Sequence, residues 1–102
     1  MKHHLVIRYQ TEPEATRRNA ELIRAVFHEL AAAAPEGVRY CVLQSADGTF
    51  YHLASYESEA ANARLTGLPA FAAFQAGGEA RRIAPPQRHD VSVVGNYRLL
   101  PD

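Results

Sequence analysis

Two hydrophobic periodicities alternate along the chain. From Leu5 to Gln10 branched and aromatic residues crowd a short run, which predicts a strand. Between Thr11 and Gly37 the apolar positions Ile23, Val26, Phe27, Leu30 and Ala34 recur at steps of three and four, with acids at the start and a Pro35-Glu36-Gly37 stop. That spacing predicts a helix whose apolar stripe lies on a sheet. Two further strand-like runs follow, Val38 to Gln44 and Thr49 to Tyr56, separated by Ser45-Ala46-Asp47-Gly48. An Asp-Gly pair tolerates the positive φ of a tight turn, so the two runs form a hairpin.

Beyond the hairpin, Ser58 or Asn62 begins a short turn. Pro69, suited to a first helical position, then starts a second helix that carries Phe71 and Phe74, and Gly77-Gly78 disturb its last turn. The run "APPQRH" reads as irregular, and "DVSVVGNYRLL" alternates like a half-buried closing strand. The order β-α-β-β-α-β is that of the ferredoxin-like α+β plait, a four-stranded antiparallel sheet with two helices on one face, formed by residues 1–102 as a single domain. Strands four and three are expected on either side of strand one, the former antiparallel and the latter parallel to it. The second sheet face stays open, and where it is apolar the economical cover is another sheet, so a homodimer is expected.

Length and charge narrow the function. With 102 residues, folding buries roughly 60% or more of the unfolded chain's surface, enough for one core. Lys plus Arg and Asp plus Glu both number 11, which argues against nucleic-acid or membrane partners recruited by bulk charge. The pairs Arg17-Arg18 and Arg81-Arg82 read as solvated helix faces. The apolar run after Met1 is too short for a signal core, and none approaches the ~18 residues of a span, so a cytoplasmic protein is the default.

The strand "LVIRY", the hairpin "VRYCVLQSADGTFYHLASYES" and the following "LTGLPAFAAFQAG" together resemble the dimeric α/β-barrel superfamily and, within it, the antibiotic-biosynthesis-monooxygenase-like proteins. The resemblance implies two ferredoxin-like subunits whose sheets form a barrel, with a cavity between sheet and helices in each. It covers nearly the whole chain, and its motifs specify architecture better than chemistry. Some relatives oxygenate aromatic polyketides without a cofactor, some degrade haem, and some are isomerases or decarboxylases. Haem-degrading members use an Asn, a Trp and a helix His; this chain has no Trp and no His between Leu65 and Phe74, so no cofactor is expected.

Five histidines raise the question of a metal. In the expected plait His3 and His4 start strand one, His89 lies near its opposite end and His52 sits early in strand three, so they do not converge, and only His3 or His4 with His52 makes a pair. Cys41, in a strand interior, reads as a buried inert thiol. His28 reads as a partly exposed surface residue. His52 is the best catalytic candidate. It shares a face with Phe50, Ala54 and Tyr56, and a neutral imidazole there could act as base toward an acidic phenol or enol. The alternative is a structural histidine donating to a neighbouring strand or an interface carbonyl. Arg8 could hold a carboxylate or enolate, or pair with Glu57. Asn96 is a second polar residue expected to point inward. Phe71 and Phe74 are expected to pack on the sheet at the edge of a ligand cavity. The leading expectation is a small aromatic or apolar ligand and cofactor-free oxygenation or a proton-transfer rearrangement. The alternative is a non-catalytic binding or dimerisation module.

Overall fold

The computed structural model describes residues 3–100. Four strands, β1 (His3–Gln10), β2 (Val38–Gln44), β3 (Thr49–Tyr56) and β4 (Gln87–Val91), form one sheet in the order β2-β3-β1-β4. Helix α1 (Thr16–Ala33), entered through a 3-10 turn at Pro13–Ala15, joins β1 to β2. Three shorter helices, α2 (Glu59–Thr66), α3 (Pro69–Gln75) and the single turn α4 (Gly78–Arg81), lie between β3 and β4. The helical connection is thus broken into three pieces, with Ser58 capping the first through its hydroxyl, which accepts the Ala61 N–H at 3.1 Å.

Every strand pair is antiparallel, including β1 with β3, which corrects the parallel orientation expected from the sequence. The reason is topological. Helix α1 carries the chain back so that β2 runs in the direction of β1; the hairpin then reverses it, and β3 slots between the two, antiparallel to both. The hairpin has its expected bounds. Gly48 adopts φ 84°, and Asp47 Oδ1 accepts from Ser45 Oγ at 2.7 Å and from Thr49 N–H at 3.0 Å. Those hydrogen bonds hold the Asp47 carboxyl below its usual range.

The last strand departs from expectation. Within the run read as irregular, Gln87, Arg88 and His89 belong to β4, whereas Val93 to Leu100 lie outside the sheet. The chain is drawn back to β1 earlier than the alternation suggested. Ile83 N–H donates to Gln10 O at 2.9 Å, Glu12 N–H donates to Arg81 O at 2.9 Å, and Thr11 bridges Arg82. From that anchor the residues just after Pro86 are the ones that reach β1, pairing Gln87 with Arg8 and Val91 with His4.

All helices lie over one face. Tyr9, Phe50, Ile23, Val26, Leu65, Ala70 and Phe74 form the buried core between them and the sheet. Helix α1 buries Ile23 and Val26 as its stripe requires, and also Asn19, one turn before Ile23. Helices α1 and α3 are further tied by Glu29, whose carboxylate accepts the Ala70 N–H at 2.9 Å.

Candidate functional site

Strand alternation decides which side chains meet under the helices. On β1 these include Leu5 and Tyr9, and on β3 Phe50, His52 and Tyr56, all buried. His52 faces Ile7 on one side and Val42 on the other. Tyr9 pairs with Phe50 and Tyr40 with Ala54, so each tyrosine is a diagonal neighbour of His52, within reach of a long aromatic side chain.

Both reach it. Tyr9 Oη lies 2.8 Å from His52 Nε2, and Tyr40 Oη lies 2.6 Å from Nδ1. Asn19 Nδ2 donates to Tyr9 Oη at 2.9 Å, and Arg81 Nε donates to Asn19 Oδ1 at 2.9 Å. Arg81 is itself held by the carbonyls of Ala76, at 3.1 Å, and Phe74. The imidazole packs against Phe74 at 5.5 Å between ring centroids, and Tyr40 stacks on Phe27 at 5.0 Å. Only 5% exposed, His52 is pushed down by burial to about 4, so at neutral pH one of its nitrogens is protonated and the other is bare. Burial also raises Tyr40, helped by the nearby Tyr9. Burial raises Tyr9 as well, against the opposing hydrogen bond from Asn19 and the charges of Arg81 and Arg82.

This polar row borders a cavity of about 210 Å³, lined by Tyr9, Tyr40 and His52 together with apolar residues that include Leu5, Leu65, Phe71 and Phe74. Its volume lies below the roughly 300–1,000 Å³ of sites for drug-sized ligands, which suits a molecule of one or two rings. Phe71 and Phe74, the expected edge residues, both line it, with their rings edge to face at 6.2 Å. Arg82 and Arg88 reach it as well. The Arg82 guanidinium sits 5.9 Å above the Tyr9 ring, and its buried Nε has no hydrogen-bond partner among the described residues.

Three expected participants lie elsewhere. Arg8 is one residue out of phase with Tyr9, so it projects from the opposite, open face, where Nη1 donates to Gln87 Oε1 at 3.3 Å. Asn96 is exposed in the segment after β4 and turns on itself: its Nδ2 donates to Leu100 O and its Oδ1 accepts the Leu100 N–H, each at 2.9 Å. Cys41 is exposed rather than buried, again on the open face. The histidines are also redistributed by the antiparallel register. His3 and His4 pair with Tyr56 and Ser55, several rungs from His52, and His89 stands opposite Val6 in the middle of β1. Among the described residues no group of three or more His, Cys, Asp or Glu is placed to hold a metal, and no helix is long and apolar enough to cross a membrane.

Tyr9, Tyr40 and Asn19 were not singled out in the sequence, and the reading of Arg81-Arg82 as a solvated helix face is corrected: Arg81 donates to Asn19 and to two carbonyls, and Arg82 packs over the Tyr9 ring with its Nε buried. Asn19 had a signal: it is a polar residue in step with Ile23 and Val26. The tyrosines become visible as partners of His52 only once β3 is set antiparallel to β1.

No protein-family model and no curated protein matches the chain. Solved structures do. A Bacteroides thetaiotaomicron protein that carries the antibiotic-biosynthesis-monooxygenase name superposes with a TM-score of 0.79 at 14% identity, covering 98% of this chain and 96% of that one. Rv0793 from Mycobacterium tuberculosis superposes with a TM-score of 0.76 at 19% identity, covering 94% and 98%. NE2512 from Nitrosomonas europaea, a protein of unknown function, gives 0.72 at 20% identity over 99% and 95%. With the βαββαβ order and antiparallel sheet in place, the chain has the ferredoxin-like α+β fold of the antibiotic-biosynthesis-monooxygenase-like proteins, as its hairpin and helix motifs implied.

Proposed function

We propose that the cavity binds a small aromatic or apolar molecule and that the protein oxygenates it without a cofactor. One observation carries this reading: a buried neutral imidazole joined to two tyrosine hydroxyls at the wall of a largely apolar cavity. Hydrogen bonds and charge act strongly around side chains buried as deeply as His52 and Tyr9. A phenol or enolisable carbonyl that enters as its anion, its acidic proton left with solvent, is electron-rich enough to reduce dioxygen itself. An activated CH2 and O2 then give C=O and H2O: one oxygen atom enters the substrate, the other leaves as water, and the substrate supplies all the electrons. Stabilising the enolate or phenolate oxygen is the protein's task.

Arg82 takes the part the sequence suggested for Arg8, since its guanidinium reaches the cavity and its buried Nε–H has no partner among the described residues. His52 has both nitrogens in hydrogen bonds. Its part is to set and pass protons between the tyrosine hydroxyls rather than to take one from substrate directly. Phe71 and Phe74 supply the ring surface.

The name carried by the Bacteroides protein supports this reading at the level of fold. A second reading is favoured by both His52 nitrogens being engaged by tyrosines, which leaves the imidazole no bare nitrogen toward a substrate: a binding module with the same cavity and no turnover. A thermal-shift screen of small phenols and aromatic ketones, followed by oxygen-electrode assays of the hits, separates the two. Oxygen uptake matched one to one by ketone product, and lost in His52→Ala, is the expected result. Binding without uptake selects the module, and unchanged binding and turnover in His52→Ala retires the catalytic role.

The proposed assembly is a homodimer through the open sheet face. That face exposes Leu43 at 54% and Val91 at 41%, and the segment beyond β4 exposes Val94, Tyr97 and Leu99. Sedimentation at micromolar concentration is expected to show a dimer; a monomer overturns this.

A further inference from the structure

The row Arg81, Asn19, Tyr9, His52, Tyr40 has a direction, and the direction decides which atom meets a ligand. A guanidinium can only donate. Because Arg81 Nε bonds one end of the Asn19 amide, that end is the oxygen, and the NH2 faces Tyr9 Oη. The Tyr9 oxygen therefore already receives an N–H. Its own proton has one acceptor among the hydrogen-bond partners of the described residues, His52 Nε2. A neutral imidazole with a bare Nε2 carries its proton on Nδ1, and that proton goes to Tyr40 Oη. The Tyr40 hydroxyl has no other partner among the described residues, so its own proton is left over, on a side chain that lines the cavity. The reverse order would strand the spare proton on Tyr9. Tyr9 also lines the cavity, but its oxygen would then receive two N–H groups at once beside the cationic Arg81 and Arg82, on a residue only 6% exposed, whereas Tyr40 receives one and is less deeply buried.

We propose that Tyr40 is the ligand-contacting donor of the cavity, aimed by the row from Arg81 through His52, and that the ligand is therefore a small aromatic molecule bearing an acceptor oxygen, a carbonyl or a phenolate. This rests on the reading of the cavity as a ligand site and sharpens it. Asn19 and His52 are positioning residues, and Tyr40 and Arg82 are the groups that touch the oxygen.

Two measurements test it. Histidine 15N NMR at neutral pH reads the tautomer without any ligand: His52 is expected to be protonated at Nδ1 and bare at Nε2, and in Asn19→Leu, which removes the directing donor, that preference is expected to weaken or invert. Titration with 1-indanone and indane, equal in ring shape but differing in the carbonyl, reads the donor. Indanone is expected to bind about tenfold more tightly, the worth of one buried hydrogen bond. In Tyr40→Phe the ratio is expected to fall to about one while indane binding is retained, which also reports that the variant is folded. If Tyr40→Phe does not fold, the wild-type tautomer and the wild-type ratio decide. A His52 protonated at Nε2 overturns the proposal. Equal binding of the two probes by the wild type overturns the donor role and leaves the cavity as a binding site. Binding of neither overturns the cavity reading together with this one.

Discussion

Along β3, Phe50, His52 and Tyr56 are buried, while Tyr51, Leu53 and Ser55, one residue out of phase, are half exposed. The two faces come from the same strands, yet they hold different things. Under the helices the polar atoms of His52, Tyr9, Tyr40 and Asn19 are all joined in one row of hydrogen bonds. On the open face Cys41 and Leu43 are exposed, and Arg8 is bonded to a neighbouring strand's Gln87. Burial explains the contrast. A polar atom taken out of water must find a partner, whereas one left in water need not. Chemistry that depends on fixed geometry therefore belongs to the helix face, and the open face is free to serve assembly.

Substitutions at matched depths should expose that asymmetry. The largest effect is expected for Phe50→Ala, which empties a site 1% exposed at the centre of the core and should cost about 3–5 kcal/mol by denaturant unfolding. A loss below about 1 kcal/mol would mean the helices do not seal this face. Next is the pH response of His52. In the unfolded chain it titrates near 6.5 and in the folded chain near 4, so its neutral burial stabilises the fold fully above pH 6.5 and is lost as the pH falls toward 4. At about 1.4 kcal/mol per unit, the contribution is about 3 kcal/mol. Unfolding curves between pH 7 and 4 should therefore fall less steeply in His52→Gln than in the wild type; parallel curves would contradict the buried neutral state.

A smaller loss, about 1–3 kcal/mol, is expected for Asn19→Leu, which strips Tyr9 of a donor and leaves Arg81 Nε unmatched. Least of all is expected from Arg8→Gln and Cys41→Ser on the open face, within about 0.5 kcal/mol and without effect on ligand binding. A marked loss of turnover in Arg8→Gln would bring the open face back into the chemistry. Leu43→Asp sharpens the contrast from the other side: the subunit is expected to stay folded by circular dichroism while sedimentation shifts to monomer.

Much of this could be read from the residues alone, and the failures have physical causes. The bounds of β2 and β3 were legible because Asp47-Gly48 leaves the backbone little choice of turn. That His52 shares a face with Phe50, Ala54 and Tyr56 followed from alternation, though not which face the helices cover, and Phe71 and Phe74 followed from helical spacing. What alternation does not encode is where a strand pairs. "VSVVGNYRLL" has a better strand pattern than "QRHDV", but the clamp of Ile83 on Gln10 brings the second run, not the first, beside β1. Asn96 was lost with that strand. Arg8 was legible as a polar residue in an apolar run but not as to side, because one face looks like the other until the helices are placed. The orientation of β3 hid the Tyr9 partnership, since a parallel register would separate residues that the antiparallel one brings to a diagonal.

The seam between the end of α4 and the end of β1 carries a last implication. There Glu12 N–H bonds the Arg81 carbonyl and Thr11 bridges Arg82, so two adjacent arginines are sent to separate duties. Arg81 lies over the Phe74 ring and grips Asn19, while Arg82 lies over the Tyr9 ring and enters the cavity. The division depends on counting. One residue inserted or removed between Gly77 and Arg81 would move one arginine into the other's place and leave the vacated place without an arginine, so this site should tolerate substitution in the connecting turn far better than any change in its length.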